Sequence, residues 1–255
     1  MKTNPRILIA VLLLFSLTMC KKDCPEPESC DFKDIKDGLA AYYPFNGNYN
    51  DESGNGNHTA AQGGIGLTAN RNGKANSAVL FDGVDDYLEL PGTASLNPQR
   101  LSITLWFNMD GNGKMSLIGN NDNADGFPTL YNTTLNYFAP GAHFMVRKPG
   151  TCGDNTNGPN EFVQVPFTFT PGKWYCYAAT YDGLKAKIYV DGVLLGENSI
   201  SFQTIAQCTG TTFKIGRWWN GDPVPFKGKM DEVRIYSRAL SADEVKMLCA
   251  TCNEQ

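Results

Sequence analysis

The stretch KWYCYAATYDGLKAKIYVDGVLLG, residues 173–196, predicts three consecutive antiparallel strands. Aromatic, apolar and β-branched residues fill Trp174–Thr180, Lys185–Val190 and Val193–Leu195, and an Asp-Gly pair stands in each gap between them. Asp-Gly is favoured in two-residue hairpin turns, where both turn residues need positive φ. We therefore expect a tight meander with turns at 182–183 and 191–192.

The middle strand of this meander alternates in polarity. Its two faces are Ala186, Ile188 and Val190 on one side and Lys185, Lys187 and Tyr189 on the other. Side chains of a strand point alternately to opposite faces, so this pattern predicts a sheet with one dry face and one wet face.

Similar short strands, bounded by Gly, Asn or Pro, recur along the 255 residues. The other predicted strands are Leu39–Phe45, Ser77–Phe81, Tyr87–Leu90, Ser102–Asn108, Ser116–Ile118, Thr133–Phe138, His143–Arg147, Thr212–Arg217 and Lys229–Tyr236. Between Asp110 and Asn160 the sequence is rich in Asn and Gly, which predicts long exposed loops. Near the end, Ser241 and Glu244 form a capping box, which predicts a short helix through Leu248. The sequence thus predicts an all-β sandwich or jelly roll of two antiparallel sheets with one short C-terminal helix.

The N-terminus has the pattern of a secretory signal peptide. Lys2 and Arg6 precede the apolar run Ile7–Leu17, which is too short for a membrane-spanning helix. We predict a signal peptide over residues 1–19, and hence export.

The signal ends in Leu-Thr-Met-Cys, residues 17–20, which resembles the lipobox of bacterial lipoproteins. In that motif the Cys, here Cys20, receives a diacylglycerol, although Met19 departs from the usual small residue. The prediction is a lipid anchor at Cys20, a charged tether over 20–37, one domain over 38–255 and a location at the outer membrane or cell surface. The alternative is soluble secretion.

Composition excludes several function classes. The net charge is −4 and becomes −6 when the signal removes two positive charges, so a nucleic-acid binder, which needs a basic face, is not expected. The two histidines, His58 and His143, are too few for a multi-histidine zinc site or a convincing Ser-His-Asp triad.

Eight cysteines in an exported chain predict disulfides. Cys152 and Cys208 lie in polar, loop-like segments and are the preferred middle pair, whereas Cys176 lies inside a strand and is the best candidate for a buried free thiol. Cross-links among the cysteines near the two ends are expected, since domain termini often lie close together. Those cysteines are Cys24, Cys30, Cys249 and Cys252, of which the last two could alternatively form a redox pair.

Four segments together resemble the LamG-like, concanavalin A-like jelly-roll family of bacterial surface proteins. They are GLAAYYPFNGNYNDESGNGNHTA (38–60), FDGVDDYLEL (81–90), KWYCYAATYDG with KIYVDG (173–192) and FKGKMDEVRIYSRALSADEV (226–245). The resemblance spans roughly 38–248 and implies the jelly-roll sandwich. It also implies one of three roles: glycan binding, adhesion, or an accessory to an enzyme.

The sequence favours a non-catalytic role. Related glucanases carry Glu-x-Asp-x-Glu or a variant one residue longer, which places two carboxylates on one strand, and this chain has neither. The nearest group, Asp82, Asp85 and Asp86, resembles a structural loop of the family. Glycan binding is therefore the first hypothesis, and an adhesion module that binds protein partners is the second.

The resemblance further implies one structural Ca²⁺, an ion that prefers several oxygen ligands. Asp231 occupies the acidic position of the family at the start of the last long strand, where it could meet a loop containing Asn46 and Asp51. Alternatively, Asp231 accepts hydrogen bonds from backbone amides and Asp51 caps a turn.

The segment GRWWNGDPVPF, residues 216–226, supplies both parts of a sugar site: aromatic planes and hydrogen-bonding groups. Its candidate ligand-binding residues are Trp218, Trp219, Asn220 and Asp222. Continued strand alternation would place Trp219 on the core face and Trp218 on the wetter face, as an exposed platform. In the alternative, both rings cover an edge of the core.

Overall fold

The computed structural model describes residues 35–122, 129–152, 160–208, 211–218 and 222–250. Within these ranges the chain forms two antiparallel sheets, one short α-helix and a 3₁₀ turn at Ala94–Leu96. The predicted sandwich is confirmed. Cys20, Cys24, Cys30, Cys252, Trp219 and Asn220 lie outside the described residues, as does the signal peptide.

Strands are numbered in chain order. The eight-stranded sheet consists of β1 (Leu39–Tyr43), β3 (Gly66–Thr68), β4 (Ala78–Asp82), β6 (Leu101–Met109), β11 (Trp174–Tyr181), β12 (Lys185–Val190), β13 (Val193–Ser199) and β15 (Lys227–Tyr236). Its order is β13-β12-β11-β6-β15-β4-β3, and β1 also pairs with β15. The seven-stranded sheet consists of β2 (Ala60–Gln62), β5 (Tyr87–Leu90), β7 (Met115–Asp122), β8 (Thr129–Leu135), β9 (Gly141–Arg147), β10 (Asn160–Pro166) and β14 (Thr211–Ile215). Its order is β10-β9-β8-β7-β14-β5-β2.

The main core lies between the two sheets. Alternate residues of each strand enter it, among them Phe107 of β6, Phe144 of β9 and Phe213 of β14, all fully buried. Burial of apolar side chains between two facing sheets is the main driving force for such a sandwich.

The meander forms as predicted, but its two turns differ. Asp191 and Gly192 both have positive φ, 51° and 77°. In the first turn only Gly183 has a positive φ, because this loop has three residues. The Asp182 carboxylate accepts hydrogen bonds from the backbone amides of Leu184 and Lys185. Aspartate therefore serves as a turn-forming acceptor in one loop and as a positive-φ residue in the other.

Between Asp110 and Asn160 the three short predicted strands are present but longer and central, with 8, 7 and 7 residues, where mostly long exposed loops are expected. The expected exposure was wrong for these strands, because their polar residues are buried: Asn120, Asn132 and Thr133 have no exposed surface. Asn and Thr in this stretch are sheet residues.

A second, smaller core covers the outer face of the eight-stranded sheet. Helix α1 (Ala242–Leu248) places Val245 and Leu248 against Ala178 and Tyr189. The predicted wet face of the meander is therefore partly dry, since the helix packs on it.

Two disulfides join the described cysteines. The predicted Cys152–Cys208 pair is present, with Cα atoms 5.6 Å apart. Cys176, predicted to be a free thiol, is instead bonded to Cys249, with Cα atoms 5.4 Å apart. The prediction failed because Cys176 faces outward from β11, where the C-terminal helix docks. Cys249 is thus engaged within the domain, and not with a cysteine near the other end.

The predicted capping box is present at the start of α1. The Glu244 amide donates to Ser241 Oγ over 3.2 Å, and the Ser241 amide donates to Glu244 Oε2 over 2.7 Å. No helix among the described residues is long and apolar enough to cross a membrane.

Ser241→Ala should lower the free energy of unfolding by about 1 kcal/mol, the usual cost of losing an N-cap side chain. Urea unfolding measures the change. Ser199→Ala is the control, because Ser199 is exposed at the end of β13 and its side chain makes no hydrogen bond within the described residues. Equal stability of the two variants would contradict the cap's contribution.

Candidate binding face on the seven-stranded sheet

The seven-stranded sheet has an outer face, directed away from the main core, and strand register places its side chains. One continuous row of cross-strand neighbours runs from β10 to β5: Phe162, Met145, Asn132, Gly119, Lys214 and Glu89. A parallel row contains Gln164, His143, Thr134 and Ser116. Residues directly opposite each other in antiparallel strands share a face, so these side chains form one surface.

Trp218 covers the middle of this outer face. Its indole packs with Met145 and Val224, and its ring centroid lies 4.8 Å from that of Tyr137. Gly119 lies beneath it, since a Cβ there would be in van der Waals contact with Trp218 Cδ1 at 3.4 Å.

The prediction that Trp218 is an exposed platform was wrong. Strand alternation assigns the correct side of the sheet, because Lys214 and Trp218 both lie on the outer face. The ring is nevertheless only 2% exposed, because the chain turns back and the Trp218 amide donates to the Pro223 carbonyl. Burying a large indole on apolar neighbours is favourable by a few kcal/mol, which explains the burial.

An exposed aromatic pair lies beside this covered centre. Phe138 is 60% exposed and Phe162 44% exposed, and their rings stack at 5.9 Å with an interplanar angle of 24°. We call these two residues the phenyl pair. The prediction extends a strand through Phe138, whereas β8 ends at Leu135 and Phe138 lies in the following turn, so sequence reasoning missed this pair.

Polar side chains that carry atoms without hydrogen-bond partners are also buried on this face, and one of them, His143, contacts the phenyl pair. The Ser116 hydroxyl, both amide atoms of Asn132 and Nε2 of His143 are buried and unpartnered, and we call these three residues the polar set. A buried polar group without a partner costs about 1–3 kcal/mol, so each of these atoms is a candidate for a hydrogen bond to a ligand.

His143 joins the two groups. Its ring lies 5.0 Å from that of Phe138 and 5.1 Å from that of Phe162, and its Nδ1 is 3.3 Å from Thr134 Oγ1. Burial lowers the pKa of His143 to about 4, so the imidazole is neutral at pH 7. A neutral imidazole offers one donor and one acceptor, which suits uncharged hydroxyl groups.

Asp222, another predicted site residue, lies at the edge of this region. Its Oδ2 accepts a hydrogen bond of 2.8 Å from the Tyr137 hydroxyl. The contact joins the loop after β14 to the turn after β8, which carries Phe138. Asp222 therefore lies next to this outer face, because the Tyr137 ring that binds it also contacts Trp218.

The three residues predicted to bind calcium each have other partners. The Asp51 carboxylate accepts backbone hydrogen bonds from Tyr42, Ser53 and Asn57; burial would raise its pKa, but these bonds lower it. Asn46 Oδ1 accepts from Lys74 Nζ over 3.3 Å.

Asp231 is 1% exposed and pairs with Arg71, whose Nη1 lies 2.5 Å away. Calcium at these three positions stays a prediction, and it would have to displace two cationic side chains.

Within the described ranges, the one group of three ligand-bearing carboxylates is Asp82, Asp85 and Asp86, in the loop between β4 and β5. There the Asp82 amide donates to Asp86 Oδ2, as expected for a structural loop.

Asp231 gives a pH prediction. Burial raises its pKa to about 7, although the Arg71 guanidinium opposes the shift. In the unfolded chain an Asp titrates near about 4, so the folded protein holds this proton more tightly. The contribution of Asp231 to stability is therefore greatest below pH 4 and declines as the pH rises towards 7.

The measurement is the unfolding free energy of wild type minus that of Asp231→Asn, between pH 4 and pH 8. We expect this difference to fall by about 3 kcal/mol as the pH rises. Subtracting the variant cancels groups of the opposite sign, such as Glu244, whose pKa is lowered by Arg238. A difference that is independent of pH would contradict the raised pKa of Asp231.

The sequence matches one known protein superfamily. The family model of the concanavalin A-like lectin/glucanases superfamily matches residues 82–246, more than half of the sequence. The chain belongs to this superfamily. A search of curated protein sequences finds no match.

Several solved structures share the fold. Domain 4 of AbnA, a GH43 extracellular arabinanase from Geobacillus stearothermophilus in complex with arabinotriose, has a TM-score of 0.64 and 23% identity, covering 83% of this chain and 98% of that one. The binding domain of Paraclostridial Mosquitocidal Protein 1 has a TM-score of 0.63 and 16% identity, covering 84% and 52%. The binding domain of botulinum neurotoxin DC in complex with SialylT has a TM-score of 0.60 and 12% identity, covering 84% and 52%. This chain thus spans about half of each toxin domain and nearly all of the arabinanase domain.

Proposed function

We propose that this chain is an exported, non-catalytic module that binds glycans on the outer face of its seven-stranded sheet. The observation that carries the proposal is the phenyl pair beside the polar set. An aromatic ring stacks on the apolar face of a pyranose, and nearby amide, hydroxyl and imidazole groups bind its hydroxyls. Phe138 and Phe162 supply the exposed rings, and His143, whose imidazole lies against both, supplies a hydrogen-bonding group.

The predicted loop residues fit this proposal at the rim of the face. Asp222 is held by Tyr137 next to Phe138, whose ring centroid lies 4.8 Å from that of Tyr137. Trp219 and Asn220 belong to the same loop in sequence and stay candidate contacts. Trp218 does not contact the glycan in this proposal; its buried ring supports the loop.

The superfamily and the solved neighbours support a binding role. The arabinanase domain was solved with arabinotriose and a toxin binding domain with SialylT. A non-catalytic role rests on the sequence, since Glu-x-Asp-x-Glu is absent.

A glycan screen tests the proposal. Purified protein should be retained on at least one polysaccharide of an immobilised panel, without releasing reducing sugar from it. Retention on none, with protein partners recovered by cross-linking at the cell envelope, would support the adhesion hypothesis instead. Hydrolysis that co-purifies with the protein would overturn the non-catalytic assignment.

We further propose that Cys20 carries a lipid anchor that holds the module at the outer membrane or cell surface. The support is the apolar run ending in Leu-Thr-Met-Cys and the charged tether that follows it. A diacylglycerol brings two acyl chains, which anchor a protein firmly, whereas one chain binds only marginally.

Cys20→Ala should release the protein from the membrane fraction into the soluble fraction, as fractionation and immunoblotting would show. Cys152→Ala, which removes a cysteine of a disulfide inside the domain, is the control for loss of a thiol. Unchanged membrane association of Cys20→Ala would overturn the lipoprotein assignment.

A further inference from the structure

On the far side of Trp218 from the phenyl pair, the outer face carries two cations against one aromatic ring. Lys214 Nζ lies 5.0 Å and Arg217 Cζ 5.4 Å from the ring centroid of Tyr87. Lys214 is a register neighbour of Gly119, over which Trp218 lies, and Arg217 directly precedes Trp218. The chain as a whole is acidic, with a net charge of −4, so this local pair of positive charges stands out.

The charge of Arg217 is not neutralised within the described part of the chain. No carboxylate there lies within ion-pair distance of its guanidinium, and its Nε is buried without a hydrogen-bond partner. Arg217 is nevertheless partly exposed, so a ligand can reach it. An anionic group at the exposed part of the Arg217 side chain would make a charge-assisted hydrogen bond with the guanidinium.

The neighbouring residues concentrate the positive charge. Lys214 is 7% exposed, and its pKa is lowered by burial and then by the charge of Arg217, while Glu89 opposes the shift. Glu89 is the register partner of Lys214 on β5. Two like charges held together in a partly buried site favour binding of an anion.

We propose that Lys214, Arg217 and Tyr87 form a subsite for an anionic group of the bound glycan, a sugar carboxylate or a sulfate ester. The inference rests on the proposed glycan binding and specifies its ligand class. Four strand spacings separate Phe162 from Lys214 along the row, about 19 Å at roughly 4.8 Å each. An oligosaccharide lying across the strands would contact the phenyl pair at one end and this basic subsite at the other.

Matched polymers test the subsite. Polygalacturonate is compared with its methyl ester, and dextran sulfate with dextran, by affinity electrophoresis at 20 and 300 mM NaCl. Wild type should bind the charged member of one pair at least tenfold more tightly, with the preference declining at high salt. The pair that shows the preference identifies the carboxylate or the sulfate as the anion.

Arg217→Gln should reduce that preference to less than threefold while leaving binding of the uncharged polymer unchanged. Lys229→Gln makes the same charge change on β15 of the other sheet and should retain the preference. An equal affinity of wild type for charged and uncharged polymers, or a preference that survives in Arg217→Gln, would overturn the subsite.

A failure of glycan binding can be distinguished from a failure of the anion subsite. If no polysaccharide is retained, glycan binding fails, and titration with inorganic sulfate, followed by the Nε–H resonance of Arg217, decides the subsite independently. A saturable shift in wild type that is absent from the Lys214→Gln variant supports an anion site. No shift in wild type overturns it.

Discussion

Trp218→Ala should lower the free energy of unfolding by about 3 kcal/mol, within the range for large aromatic-to-alanine changes in packed sites. The indole is 2% exposed and packs with Met145 and Val224, so its removal leaves a cavity on the outer face. Trp218→Phe should restore part of the loss, because it keeps an aromatic ring over Gly119. Chemical denaturation followed by circular dichroism measures both changes.

The same variant separates two roles for this ring. If Trp218 were an exposed sugar platform, its replacement by Ala would remove binding and leave stability within about 0.5 kcal/mol of wild type, as is usual for surface sites. That outcome would contradict the packing of the ring described above. Trp219→Ala is the informative companion, since Trp219 stays a candidate contact of the ligand.

Replacing both members of the phenyl pair, Phe138→Ala with Phe162→Ala, should weaken glycan binding about a hundredfold. Each ring is expected to contribute about 1.4 kcal/mol of stacking, a factor of ten in affinity. Stability should change little, because both rings are largely exposed. Isothermal titration with the polysaccharide retained in the screen provides the affinities.

Leu184→Ala is the matched control for this double variant. Leu184 is 65% exposed in the loop between β11 and β12, so its replacement removes exposed apolar surface from the other sheet. Its affinity should equal that of wild type. An unchanged affinity of the double variant would remove the phenyl pair from the site and shift attention to the loop of Trp219 and Asn220.

Sequence alone predicts the fold well because its signals are local. Alternation in Lys185–Val190, the two Asp-Gly pairs and the Ser241–Glu244 capping box each specify structure from neighbouring residues. The strands, both turns and the capping box are present, although the first turn has three residues and helix α1 covers part of the face predicted to be wet; the Cys152–Cys208 disulfide is present as well.

The wrong predictions for Trp218 and Cys176 share one cause, contacts between residues that are far apart in sequence. Strand alternation correctly places Trp218 on the outer face, and places Cys176 opposite the core-facing Tyr175 and Tyr177, but it cannot show which distant segment covers each one. The loop ending at Val224 covers Trp218, and helix α1 covers Cys176. Such contacts join residues far apart in sequence, so neither composition nor periodicity contains them.

The candidate site was harder to predict than the fold for the same reason. Register brings Ser116, Asn132 and His143 together from three strands, and nothing in the local sequence of any one strand marks it as part of a site. The adjacent aromatics Tyr137 and Phe138, in a stretch rich in Asn and Gly, were the available signal for the phenyl pair.

The two histidines of this chain allow the most direct test of the proposed face. His143 lies against the phenyl pair, whereas His58 lies in an exposed loop where its Nδ1 accepts a hydrogen bond from the Asp51 amide. Long-range ¹H–¹⁵N spectra of the imidazoles therefore contain one reporter for the proposed face and one for a remote loop. On titration with the retained glycan, the Nε2 resonance of His143 should shift saturably and that of His58 should stay constant. Saturable binding that leaves the His143 resonances unchanged would contradict binding at this face.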